Sequence, residues 1–210
     1  MKKVLKILAL VLTLAMVFSL AACGNQDNAT SGSNSESAGI AKDKLKIGVI
    51  HIGDPADGSG YSYAHDQGIV GMQKNLGLSD DQIVRKLNVS DSDKSAIKEA
   101  IESCVAEGCN LIFGTSYGYM DTMEEMAAEH PEVYFSHGTG YLSNDTNFNN
   151  YFGRIYQARY LAGVAAGLKT ETNKIGYVAA YGTELAETSS GINAFALGAQ
   201  SVNPDAVVYV

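Results

Sequence analysis

Residues 44–52 read Lys44-Leu45-Lys46-Ile47-Gly48-Val49-Ile50-His51-Ile52, and this run decides the fold. It is apolar, rich in β-branched side chains and stopped by Gly53, so it reads as a strand. Working forward, residues 63–76 read as a helix closed by Gly77, and residues 83–89 as an alternating strand. Asp91 or Asp93 can cap the next helix. There Ala96, Ile97, Ala100, Ile101, Cys104 and Val105 recur at helical spacing, and Gly108 ends the run. Residues 110–114 form a short buried strand, residues 120–130 a helix stopped by Pro131, and residues 133–135 a strand leading to His137. The order β-α-β-α-β-α-β predicts an α/β fold, a parallel sheet with helices on both faces.

Beyond it the pattern changes. Residues 144–150 are a polar interruption. Residues 154–169 read as a long helix in which Ala158, Ala162 and Ala166 repeat every four residues, as do Gly163 and Gly167, a spacing that predicts close approach to a sheet. A strand over 174–181, a helix over 190–202 and a strand from Ala206 follow. That last strand runs to Val210, which reads as truncation. The expected organisation is therefore a nearly complete N-terminal lobe over 44–152 and the opening of a second lobe over 153–210.

Working backward, residues 24–39 are small and polar and cannot bury enough apolar area to offset their ordering entropy, so they read as a flexible leash. Before them stands MKKVLKILALVLTLAMVFSLAAC. Lys2, Lys3 and Lys6 open it, an apolar run follows, and Leu20-Ala21-Ala22 leads into Cys23. This is a secretory signal over 1–22. Its end resembles the lipobox of bacterial lipoproteins, which implies lipidation of Cys23 and a membrane tether on the extracytoplasmic face, with 23–43 as lipidated cysteine and linker. A plain signal peptide or an uncleaved anchor is the alternative; the apolar run is near the ~18-residue lower limit for a spanning helix.

The net charge is −8, and three of the basic residues lie in the signal. An acidic chain argues against nucleic acid or anionic lipid as a partner. After Cys23 only Cys104 and Cys109 remain, read as two small buried thiols that could be bridged only if the helix's last turn unwinds. No metal-ligand spacing is present, and no cofactor is expected.

Open α/β sheets bind ligands beyond the carboxyl ends of their strands, so the loops after Gly53, Gly114, His137 and Tyr181 matter most. The first holds Asp57, a hydrogen-bond acceptor, and then Tyr61, Ser62 and Tyr63 at a helix start. A tyrosine face can stack on a flat ring. The same residues also read as a turn with exposed aspartates and with tyrosines packed on the sheet rim. Thr115-Ser116-Tyr117-Gly118-Tyr119 repeats the theme of hydroxyl, aromatic and glycine, and Tyr181-Gly182-Thr183-Glu184 would face both. Gly58-Ser59-Gly60 is not a nucleophile elbow, no phosphate-binding glycine loop is present, and the four histidines are scattered, so no enzyme is expected.

Four stretches carry a resemblance: Gly60-Tyr61-Ser62-Tyr63-Ala64-His65-Asp66-Gln67-Gly68; Phe113-Gly114-Thr115-Ser116-Tyr117-Gly118-Tyr119; Tyr151-Phe152-Gly153-Arg154-Ile155-Tyr156-Gln157; and Gly191-Ile192-Asn193-Ala194-Phe195-Ala196-Leu197-Gly198. Together they resemble the basic membrane protein family of substrate-binding lipoproteins that serve ABC transporters. The resemblance implies a type I periplasmic-binding-protein fold, two lobes closing on a purine base or nucleoside, and a permease partner. It implies ligand contacts from Asp57, Tyr61, Ser62, Ser116 and Tyr117 in the first lobe and from Glu184 and Asn193 in the second. Gly58 and Ser62 stand where the family's nucleoside binders carry Asp and Asn. The Tyr61 stretch looks closer to a branch linked to free purine bases. A receptor for a sugar or other small polar signal is the alternative, and a surface nucleoside hydrolase a more distant one.

Overall fold

The computed structural model describes residues 39–210; the signal, Cys23 and most of the leash lie outside the described residues. Seven strands and five helices follow 3-10 turn Lys42–Lys44: β1 (Ile47–Ile50), α1 (Gly60–Leu76), β2 (Ile83–Lys86), α2 (Lys94–Ala106), β3 (Leu111–Gly114), α3 (Met120–Glu129), β4 (Tyr134–Gly138), β5 (Phe148–Tyr151), α4 (Ile155–Lys169), β6 (Lys174–Gly176), α5 (Ala186–Val202) and β7 (Val207–Tyr209). The first five strands form one sheet in the order β2-β1-β3-β4-β5, and β6 pairs with β7 in a second. Every pairing is parallel, with Ile47 opposite both Ile83 and Leu111.

The pleat of β1 sorts the core. Ile47 and Val49 point to one face, where they pack with Ile69 of α1, Leu78 and Ile83. Ile50 points to the other, with Ile97, Ile101 and Cys104 of α2 and Met123 and Met126 of α3. Burying each such aliphatic side chain stabilises by about 1.5–3 kcal/mol. Gly48 shares the second face, and a Cβ there would lie 2.9 Å from Cys104 Sγ. The bare glycine thus lets α2 settle onto the central strand.

Asp93, not Asp91, caps α2: its side chain accepts from the N–H of Ser95 at 3.0 Å and of Ala96 at 3.1 Å. Cys104 and Cys109 are free and buried. Several bounds differ from the sequence reading. α1 begins at Gly60 and α5 at Ala186, both earlier than expected, while β2 ends at Lys86 and β4 runs on to Gly138.

Three differences have clear causes. The polar interruption contains a strand, β5, because two asparagines organise it. Asn144 Oδ1 accepts from the backbone N–H groups of Thr146, Asn147 and Phe148. Asn147 Nδ2 donates to the carbonyls of Ala127, His130 and Val133 at 2.8, 3.1 and 2.9 Å, pinning the turn to the end of α3. The expected strand over 174–181 stops at Gly176; Tyr177 N–H still donates to Tyr209 O at 2.7 Å, but Val178 is 99% exposed. The small-residue stripe of α4 meets a helix rather than a sheet. A Cβ at Gly163 would strike the Phe195 carbonyl, one at Gly167 would lie 2.5 Å from Ala199 O, and one at Gly198 would strike the Tyr160 carbonyl. Helices α4 and α5 therefore touch backbone to backbone. No helix among the described residues is long and apolar enough to cross a membrane.

Candidate functional site

The carboxyl ends of β1, β3, β4 and β5 converge on one rim of the sheet, and the first turns of α4 and α5 stand opposite. Between them lies a cleft of about 540 Å³ lined by Tyr117, Gly140, Tyr141, Phe152, Gly153, Arg154, Tyr156, Leu185, Ala186, Glu187 and Ser190. Its size suits a small organic ligand. A smaller hollow of about 240 Å³ adjoins the same helix start, lined by Ile155, Arg159, residues 177–181, Glu187, Thr188 and Gly191. Glu187 lines both, in the first turn of α5, where the helix dipole favours a carboxylate.

Each expected residue has a definite place. Tyr61 is half-exposed in the first turn of α1, its ring 4.5 Å from that of His65. Its hydroxyl is pushed up to about 12, chiefly by desolvation and then by the nearby Tyr151, Glu187, Tyr181 and Asp91. Those neighbours come from both sides of the cleft, but Tyr61 itself does not line it. Tyr117 projects from a 3-10 turn after β3 and faces Tyr181, with ring centroids 5.6 Å apart.

Ser116 and Ser62 serve their own loops. Ser116 Oγ donates to Asp91 Oδ2 at 2.7 Å, and Ser62 Oγ accepts from Gly53 N–H at 3.0 Å. Both are buried. Asp57 ends the exposed 3-10 turn Pro55–Asp57 and does not line the cleft. Glu184 folds back onto Gly182, and Asn193 is exposed further along α5; neither lines the cleft. The structure thus places Tyr117 in the cleft beside Tyr181 and leaves Asp57, Tyr61, Glu184 and Asn193 outside its lining.

The sequence reading missed Tyr141, Phe152, Arg154 and Glu187 as cleft residues. Glu187 had a signal: reading α5 from Ala186 instead of Ser190 puts it in the first turn. Arg154 had one too, as the residue just before α4.

Beneath the rim runs a buried polar chain. His51 Nδ1 lies 3.2 Å from Thr115 Oγ1 and its Nε2 3.2 Å from Asp66 Oδ1, while Arg85 Nε donates to Asp66 Oδ1 at 2.7 Å. These residues follow β1 and β3 or sit on α1 and β2, so the chain fixes the helix start that carries Tyr61. Burial pulls His51 below the ordinary histidine range, against the raising effect of Asp66. His137 Nε2 donates to Ser116 O at 2.7 Å, and burial lowers this histidine as well. Among the described residues no group of three side chains could hold a metal ion. The arrangement can lay a flat ring on a tyrosine face and offer it one guanidinium and one carboxylate.

Comparison with known proteins gives this rim a context. Residues 44–210 match the family model Bmp, described as ABC transporter substrate-binding protein PnrA-like. A Haloferax volcanii protein named for ABC transporter glucose binding is 37% identical over 88% of this chain and 44% of its own length. A protein named as purine-binding, from Brucella abortus, is 38% identical over 80% of this chain and 46% of its own. A nucleoside-binding ABC transporter protein of Lactococcus lactis is 25% identical over 97% of this chain and 55% of its own. The chain thus spans about half the length of the curated relatives it matches. Among solved structures, a solute-binding protein of an ABC transporter system from Conexibacter woesei superposes with a TM-score of 0.56 at 21% identity, covering 79% of this chain and 53% of that one. A similar likeness, TM-score 0.60 at 21% identity over 79% of this chain and 52% of that one, links it to a transcriptional activator of the comK gene from Bacillus halodurans. These likenesses show the periplasmic-binding-protein fold.

Proposed function

The chain belongs to the Bmp, PnrA-like family of ABC transporter substrate-binding proteins, and from that premise we propose that it captures a purine base or nucleoside for a permease. The reading rests on one observation, the contact of Tyr117, which lines the cleft, with Tyr181, which lines the adjoining hollow. A flat heteroaromatic ring laid on such a face gains about 1–3 kcal/mol. Arg154 would hydrogen-bond ring acceptors and Glu187 exocyclic amino or ribose hydroxyl groups. Micromolar capture needs about 8 kcal/mol in all, within reach of stacking plus a few enclosed hydrogen bonds. The two relatives named for purine and nucleoside binding support the same ligand class.

In this reading residues 44–152 form one ligand-binding lobe and residues 153–210 belong to the other. Asp57, Glu184 and Asn193 are then contacts made on lobe closure, while Ser62 and Ser116 hold the loops that carry Tyr61 and Tyr117. Cys23 carries the lipid that holds the receptor at the outer face of the cell membrane. No turnover of ligand is involved.

Calorimetry with adenine, adenosine, guanosine, ribose and glucose tests the ligand class. Heat with the purines and none with the free sugars is expected; absence of heat with every purine overturns the reading. The relative named for glucose binding favours a second reading, a sugar receptor, which glucose binding without purine binding would establish. Metabolic labelling with palmitate tests the anchor: label on the wild type and none on Cys23→Ser is expected.

A further inference from the structure

The last turn of α2 closes in a way that brings two cysteines together. Gly108 takes φ +85°, Gly108 N–H donates to Val105 O at 2.8 Å, and Cys109 N–H donates to Cys104 O at 3.0 Å. This pair of bonds is the Schellman closure, in which the residue three before the cap and the second one past it come into contact. In most helices that contact joins two apolar side chains. Here it joins Cys104 and Cys109, 0% and 3% exposed. The turn has already unwound in the sense that a bridge between these positions requires.

We propose that Cys104 and Cys109 are an oxidisable dithiol that forms an intramolecular disulfide stapling the end of α2 to the start of β3. Three further observations support it. Gly48 leaves open the space that Cys104 Sγ fills, so the sulfur has a seat and needs no displacement of β1. The neighbouring Cys109 thiol, with burial, holds the Cys104 thiol well above the ordinary range. Cys104 in turn lowers Cys109, against the effect of burial, and the Lys46 and Lys86 ammonium groups add to it. Cys109 is therefore the nucleophile and Cys104 the resolving thiol.

The oxidant is a low-molecular-weight disulfide, which compartments outside the cytoplasm sustain. Cys109 thiolate attacks one of its sulfurs, forming a mixed disulfide and expelling one small thiolate. Cys104 then loses its proton and attacks Cys109 Sγ, expelling the second small thiolate. Two protein thiols and one small disulfide become one protein disulfide and two small thiols. The staple lies at the end of the sheet opposite the cleft, so ligand affinity should not depend on it.

The full chain, reduced and then incubated with oxidised glutathione under native conditions, is alkylated in denaturant and cut after glutamate. Cleavage after Glu107 separates the two cysteines, so their fragments stay joined only through sulfur. Joined, unalkylated fragments are expected from the wild type and not from Cys109→Ala, with the thermal midpoint of the oxidised form equal to or above that of the reduced form. Alkylation of both cysteines, a lasting glutathione adduct on either, a bridge to Cys23, or a lower midpoint overturns the proposal. The wild-type map decides it even where the variant fails to fold.

Discussion

Tyr117 and Tyr181 face each other with ring centroids 5.6 Å apart and planes inclined by 45°. One ring stands after β3 on the five-stranded sheet and the other precedes α5, so the contact joins two parts of the chain with little other reason to meet. An aromatic pair at this spacing is worth about 0.5–1.5 kcal/mol on its own. Its inclination leaves a wedge rather than a closed stack.

A planar ligand resting on the pair makes both tyrosines necessary, one as its platform and the other as that platform's support. Tyr117→Ala and Tyr181→Ala should each weaken purine binding by about tenfold to a hundredfold, while phenylalanine at either position retains most of it. Calorimetry on the four variants checks this. An affinity unchanged by either alanine removes that ring from the site.

Asn147→Ala should cost about 3 kcal/mol, because the Ala127 and Val133 carbonyls lose their Asn147 donor in the interior. The urea midpoint should fall with the slope unchanged. Equal midpoints would mean that the β4–β5 turn is held by Asn144 alone.

Gly198→Ala reverses an ordinary expectation. In an isolated helix alanine is favoured over glycine by about 1 kcal/mol. In α5 the added methyl would meet the Tyr160 carbonyl, and overpacking of this kind costs about 1–3 kcal/mol. Thermal unfolding should show a lower midpoint for the variant; a higher one would deny the close approach of α4 and α5.

Acid should destabilise the fold before its carboxylates titrate. His51, His65 and His137 are each pulled below the usual histidine range, first of all by burial. The unfolded chain therefore binds more protons than the folded one below about pH 6.5, and stability present above that value is lost as pH falls toward the folded values. Urea midpoints should drop between pH 7 and pH 5, and His137→Gln should flatten the drop. A midpoint independent of pH across that interval contradicts the burial of these rings.

The first four strands and their helices were legible because their signals are local. The run around Ile47–Ile50, the helical stripe through Ile97 and Ile101, and glycines at Gly77 and Gly108 each mark an element on their own. β5 was not, since Phe148 and Tyr151 become a strand only when Asn147 reaches back to α3. Of the cleft's lining residues, only Tyr117 stood among the expected ligand contacts. Tyr61 and Tyr117 follow from where strands end. Arg154 and Glu187 had a local signal as residues at helix starts, but that these starts face the rim is a tertiary matter.

The contact of Gly163, Gly167 and Gly198 bears on motion as well as packing. Two helices touching through their backbones have no side-chain cushion to shear, so they turn as one lever. Glu187 and Arg154 then travel together, and any opening of the cleft is taken up in the residues just ahead of α4, where Gly153 has open space around it.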